Sequence, residues 1–184
     1  LEKLYYIKYI EFAKIGFINV FFTDNYIIKK FNSILEERNT FGNSNIGDGK
    51  KINIEFVSAN PTGPIHIAHI RGAVYGDVLA NIMESTGYSV VKEYYVNDSG
   101  SQINVLGNSL YKRYQQLLGK KIELTEGEYP GDYLIKIAEL IFKKDKDKWL
   151  NVEINKRNKF FRNFAVKELL DSIKNDLKKI NIYF

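Results

Sequence analysis

Cysteine is absent from this 184-residue chain, which excludes disulfide frameworks, cysteine-ligated zinc and thiol catalysis, and allows a cytoplasmic location. Histidine occurs only twice, so any histidine-based metal centre needs carboxylates or water to complete it. Methionine and tryptophan occur once each and proline three times. No uncharged apolar run approaches the ~18 residues of a membrane helix; Phe17 to Phe22 is the densest stretch and is far too short. The first twenty residues carry Glu2, Lys3, Lys8, Glu11 and Lys14, which breaks any secretory-signal core. What is present is ordinary for a globular protein: 45% hydrophobic and 27% charged residues, which excludes disorder and collagen-like repeats. At ~150 residues per domain the length suits one domain, or one and a fraction.

The net charge is +5 and the isoelectric point near 9.1. Of the 27 basic residues only five are arginine, in a chain also rich in isoleucine and asparagine. AT-rich coding produces the same bias, so the charge alone does not establish nucleic-acid binding. It is also uneven: residues 1–50 carry +1, residues 51–118 are neutral and residues 119–184 carry +4. The run Lys143-Lys144-Asp145-Lys146-Asp147-Lys148 alternates in sign and reads as a solvated helix end or loop. The chain starts at Leu1, its only methionine is Met83, and it stops on the apolar Ile180-Asn181-Ile182-Tyr183-Phe184. Termini of that kind are expected of an internal piece of a longer protein.

Residues 1–22 have strand character with a break near Gly16. Asp24 stands where it would cap a helix from about Asn25 to Glu37, with Ile27, Ile28, Phe31 and Leu35 on one face. The Gly/Asn-rich stretch 39–51 is the expected linker, separating a small unit, 1–38, from the remainder, 52–184. A strand is predicted over Ile52–Val57, followed by the turn Ser58-Ala59-Asn60-Pro61-Thr62-Gly63-Pro64. A helix from Ile65 to Ser85 follows, with Gly87 placed to end it, then a strand over Tyr88–Val96. Strand, turn, helix and strand in that order make a βαβ unit with parallel strands, hence an α/β fold. Ligands of such sheets bind beyond the carboxyl ends of the strands, where helix N-termini point. A helix over Ser101–Leu118 comes next. Residues 119–155 read as an insertion holding a hairpin or loop and a helix near Tyr133–Lys143. A long helix over Asn155–Lys179 and a final strand over Ile180–Phe184 complete the reading.

Both histidines, His66 and His69, fall in the first turn of the helix after the first strand. Spaced i and i+3, they share a face at a helix end that favours anions. A phosphate site, a structural pair and a zinc site completed by carboxylates all fit that spacing.

The residues around them are more specific. The run from Glu55-Phe56-Val57-Ser58 through Asn60-Pro61-Thr62-Gly63-Pro64-Ile65-His66-Ile67-Ala68-His69 to Arg71-Gly72-Ala73 resembles the first signature of arginyl-tRNA synthetases. That signature contains the class I "HIGH" tetrapeptide. The likeness continues through Glu93-Tyr94-Tyr95-Val96-Asn97-Asp98-Ser99-Gly100-Ser101-Gln102-Ile103, and less specifically through Gly16–Val20 and Tyr129-Pro130-Gly131-Asp132-Tyr133. It departs from the family at Ala68, where the pattern has glycine; the added methyl bears on ATP affinity. The second class I signature, a "KMSKS" loop, has no match here.

The resemblance implies the first part of a class I, Rossmann-like parallel-sheet domain preceded by the end of a small α+β N-terminal domain. It implies an arginine–tRNA ligase, a cytoplasmic monomer that meets no membrane, with arginine, ATP carrying Mg²⁺, and tRNA(Arg) as partners. His66 and His69 would be catalytic. Glu55, Ser58, Asn60 and His66 would bind arginine, and Gly63, His66, Ala68 and His69 would bind ATP, with no protein metal site. The 184 residues alone are expected to make no adenylate. The alternatives are another class I synthetase, a nucleotidylyltransferase with the same histidine motif, or a tRNA-binding segment without catalysis. Turn chemistry competes as an account of Ser58, Asn60 and Gly63, a salt bridge to Arg71 or Lys92 as one of Glu55, and a helix cap as one of Asp98.

Overall fold

The computed structural model describes residues 4–184; residues 1–3 of the expected N-terminal unit lie outside them. That unit is an antiparallel hairpin, β1 (Ile7–Phe12) with β2 (Ile18–Phe22), followed by helix α1 (Asp24–Glu37). The hairpin turns at Gly16, whose φ of +84° suits glycine. The helix starts one residue earlier than expected. Thr23 is the N-cap, with extended backbone, and Asp24 is the first helical residue, where its charge meets the helix dipole instead of capping it.

The stretch expected to be a linker is not free. Arg38–Thr40 form one 3₁₀ turn. Beyond it the amides of Ser44, Gly47 and Gly49 donate to the carbonyls of Ser85, Thr86 and Gly87 at 2.9, 2.8 and 2.9 Å. Gly47 is buried there, because a side chain would collide with Tyr88. Small residues that read as looseness in sequence permit a close backbone-to-backbone strap.

The strap leads into the βαβ unit. Strand β3 (Lys51–Glu55) alternates, turning Ile52 and Ile54 inward and Lys51, Asn53 and Glu55 outward. Helix α2 (Ile67–Ser85) ends at Gly87, φ +89°, with Tyr88 N–H closing on the Met83 carbonyl at 3.1 Å. Strand β4 (Ser89–Glu93) pairs parallel to β3, from Lys51 opposite Ser89 to Glu55 opposite Glu93. Lys92 turns inward to Asp77 and Asn81 of α2, at 2.7 and 3.0 Å, tying helix to sheet. A small core of Phe56, Ala73, Ile173, Leu177 and Ile182 lies under the strand ends.

The larger core is helical. Helices α3 (Ser101–Leu117), α4 (Tyr133–Asp145) and α5 (Ile154–Lys179) enclose Leu106, Leu110, Tyr114, Leu134, Ile141, Phe161 and Leu169. Gly107 lets α3 and α5 approach closely; a Cβ there would meet the Arg162 backbone at 3.0 Å. Residues 118–132 form turns without strands, so the loop alternative holds over the hairpin. Lys143 and Lys144 end α4 exposed, and Asp145 accepts the Trp149 indole N–H at 2.7 Å.

The final strand is absent from the described residues. Ile180 caps α5, Asn181 is left-handed at φ +60°, and Ile182 N–H closes on the Leu177 carbonyl at 3.1 Å. The apolar residues there serve a helix end, Ile182 entering the small core and Phe184 meeting Phe56 at 4.5 Å between ring centroids.

Gly76 of α2 is covered by the Phe56 ring, which a Cβ would overlap. Gly76→Ala overpacks this contact and is expected to cost about 1–3 kcal/mol, read as a lowered thermal midpoint of the purified chain.

Candidate active site

At the end of β3 the chain reverses sharply. Val57 and Ser58 have φ of +66° and +39°, a strained conformation for non-glycine residues that is typical of functional turns. The Ser58 amide closes on the Phe56 carbonyl at 2.9 Å. This reversal brings the Ser58 hydroxyl to Glu55 Oε1, to which it donates at 2.7 Å, while accepting the Tyr95 amide at 3.0 Å. Glu55 is exposed and forms no ion pair among the described residues. Neither partner of the expected alternative salt bridge meets Glu55: Lys92 pairs with Asp77, and Arg71 forms no ion pair among the described residues.

Asn60 is held on both atoms of its amide. Its Nδ2 donates to Gln102 at 3.1 Å and its Oδ1 accepts from Asn97 at 3.1 Å. Asn97 and Gln102 thereby acquire a job that spacing could not reveal, since Gln102 lies 42 residues from its partner. Asp98 is exposed and does not cap α3; Gly100 is the N-cap, at φ +96°. Two phenols also reach the turn. Tyr94 donates to the Ala59 carbonyl and Tyr133 to the Thr62 carbonyl, each at 2.6 Å. Burial raises both phenols above the ordinary tyrosine range, so they stay protonated donors. Gly63 has no left-handed backbone, and a Cβ there would make only ordinary contact with Tyr133 at 3.4 Å. The fold itself therefore does not require glycine at 63.

The histidines open α2 by a reciprocal cap. His66 is the N-cap, its Nδ1 accepting the Ala68 amide at 3.3 Å, while the His66 amide donates to Nδ1 of His69 at 3.2 Å. The rings lie 3.9 Å apart between centroids, tilted by 32°. An imidazole accepting at Nδ1 carries its proton at Nε2. In this arrangement each ring has one N–H donor, at Nε2, left at a helix N-terminus. Burial, then the neighbouring His66, lowers the pKa of His69 and keeps it neutral. Ala68 is exposed in the same first turn. The structure thus brings Glu55, Ser58, Asn60, Gly63, His66, Ala68 and His69 onto one continuous segment from strand end to helix start.

The family model for class I (R) tRNA synthetases, catalytic domain, matches residues 30–184. The chain belongs to that family. It is 49% identical over 182 residues to an arginine–tRNA ligase of Rickettsia bellii, covering 99% of this chain and 32% of that protein. Against the arginine–tRNA ligase of Magnetococcus marinus it is 48% identical over 177 residues, covering 95% and 31%. A solved structure from Campylobacter jejuni, described as an arginyl-tRNA synthetase, superposes with a TM-score of 0.78 at 32% identity, over 88% of this chain and 35% of the other. The chain spans about one third of the length of the curated relatives it matches. The class I α/β fold is thereby shown, and with it the synthetase membership that the signature implied.

The burial of His69 beside His66 sets a pH dependence. Because folding lowers the His69 pKa below its ordinary value, this contribution is complete above pH ~6.5 and is lost as pH falls from there through the folded value. The thermal midpoint is expected to drop between pH 7.5 and 5.5, and to drop less in His69→Ala.

Proposed function

We propose that this chain supplies the strand-end and helix-start half of an arginine-activating site, in a protein that acts as an arginine–tRNA ligase. The observation that carries the reading is the paired imidazole cap at the start of α2, which leaves two Nε2–H donors on the segment whose strand end carries Glu55, a carboxylate bonded to Ser58 and in no ion pair among the described residues. In this reading arginine lies against Glu55, Ser58, Asn60 and His66. Its guanidinium or ammonium meets the Glu55 carboxylate, which Ser58 orients. ATP lies over Gly63, His66, Ala68 and His69.

The arginine carboxylate is already ionised and needs no general base. An oxygen of it bonds to the α-phosphorus as the bond from that phosphorus to the bridging oxygen breaks. Pyrophosphate leaves with the electron pair and arginyl-adenylate forms. The barrier is lowered by alignment and by donors aimed at phosphate oxygens, which is what the two Nε2–H groups offer. Transfer of the arginyl group to tRNA(Arg) follows in the cytoplasm, the protein acting as a monomer. Among the described residues no group of three or more His, Asp or Glu could hold a metal; Mg²⁺ belongs with the nucleotide phosphates, and no step is assigned to it. Residues 1–38 are read as the end of an N-terminal domain and 52–184 as the first part of the catalytic domain, with 119–155 inserted.

The deciding experiment is pyrophosphate exchange into ATP by the full-length protein that contains this chain. Arginine, and no other amino acid, is expected to support it; exchange with a different amino acid overturns the reading. In the same assay His66→Ala and His69→Ala are each expected to lower kcat by about 10²–10³ with little change in arginine KM. Glu55→Gln is expected to raise arginine KM by about ten- to hundredfold first, because the charge it removes meets the substrate before reaction. Ala68→Gly is expected to lower the KM for ATP and leave that for arginine unchanged, a comparison read from two substrate titrations.

A further inference from the structure

We propose that Tyr94 and Tyr133 divide the turn 58–64 between two separate anchors, Tyr94 positioning its arginine half and Tyr133 its nucleotide half; this rests on the arginine-activation reading above. The turn belongs to no helix or strand, so its shape depends on what grips it from outside. The first half is gripped by the segment following β4 and the first turn of α3: Tyr94 on the Ala59 carbonyl, the Tyr95 amide on Ser58, and Asn97 with Gln102 on Asn60. Ser58 and Asn60 are assigned to arginine in that reading, Ala59 lies between them, and none of the three is assigned to ATP.

The second half is gripped from α4. Tyr133 is the first residue of α4, 71 positions from the carbonyl it binds. Thr62 stands four residues before His66, across the rigid Pro64, so a shift of its carbonyl moves the α2 cap. Tyr133 is itself built in. The Arg113 guanidinium donates to the Pro130 carbonyl at 2.5 Å. The Tyr129 amide donates to the buried Ser109 hydroxyl at 3.0 Å, and that hydroxyl donates back to the Val105 carbonyl at 2.8 Å. Gly131 leaves the space the Tyr133 ring fills, since any Cβ there would run into it. The Tyr129–Tyr133 motif thus becomes a strut from the helical core to the start of α2. Its hydroxyl touches no substrate in this reading and acts through Thr62, which makes Tyr133 a positioning residue.

Two anchors on two halves predict a dissociation of effects that loss of stability does not produce. The test is arginine-dependent pyrophosphate exchange by the full-length protein, with arginine and ATP titrated separately and thermal midpoints recorded. Tyr133→Phe keeps the ring and removes the hydroxyl; it is expected to lower kcat or raise ATP KM by about five- to tenfold, leaving arginine KM within about twofold. Tyr94→Phe is expected to raise arginine KM by about the same factor and leave ATP KM unchanged. Gly131→Ala, which displaces the ring with its hydroxyl intact, is expected to reproduce the Tyr133→Phe pattern. With wild-type exchange present, unchanged kinetics in Tyr133→Phe, or equal changes in both substrates' KM in either tyrosine variant, overturn the division. If the wild type shows no arginine-dependent exchange, the functional reading falls and the division with it.

Discussion

Phe56 sits where strand β3 ends, and its ring occupies the space that a side chain at Gly76 would need. That contact seats α2 against the strand, and everything from Val57 to His66 has to span the gap it leaves. The ring also packs with Ala73, Ile173 and Leu177, and stacks obliquely on Phe184. It therefore joins the βαβ unit to the far end of α5. The other end of α5 is buried in the helical core through Phe161 and Leu169. One 26-residue helix runs through both cores, and the turn carrying the candidate site is fastened to each: to the sheet through Tyr94 and to the helical layer through Tyr133. A close packing of this kind transmits displacement because interiors pack at nearly crystalline density.

Much of this was legible in the residues. The parallel βαβ unit, α3 and α5 followed from alternation, helical periodicity and Gly87, which depend on neighbours in sequence. The failures share a cause. Ile180–Phe184 reads as a strand because strand propensity describes a half-buried apolar surface; here Ile182 reaches such a surface at the end of a helix, with Asn181 turned left-handed. The caps assigned to Asp24 and Asp98 went to Thr23 and Gly100, one and two residues away, within the usual slack of helix boundaries. Tyr133, Asn97 and Gln102 were visible as part of a family pattern, but their partners lie 71, 37 and 42 residues distant. No local rule connects them.

The electrostatics of the turn differ from those of the chain as a whole. The basic excess lies in residues 119–184, whereas between residues 55 and 70 the only formally charged side chain is Glu55. An anion approaching α2 meets dipoles: the positive end of the helix and the Nε2–H groups of two imidazoles. Oriented dipoles stabilise developing charge without the strong ground-state attraction of a fixed cation, and so favour a transition state over a bound substrate.

The reciprocal cap also restricts what chemistry the two imidazoles can perform. In each ring Nδ1 is the acceptor nitrogen, and both Nδ1 atoms are already engaged by backbone amides. A proton at either Nδ1 would displace one of the two cap hydrogen bonds at the start of α2. Neither ring therefore offers an unengaged acceptor nitrogen to a water molecule. For the proposed reaction, whose product is a mixed anhydride open to hydrolysis, the helix cap is a safeguard of the intermediate.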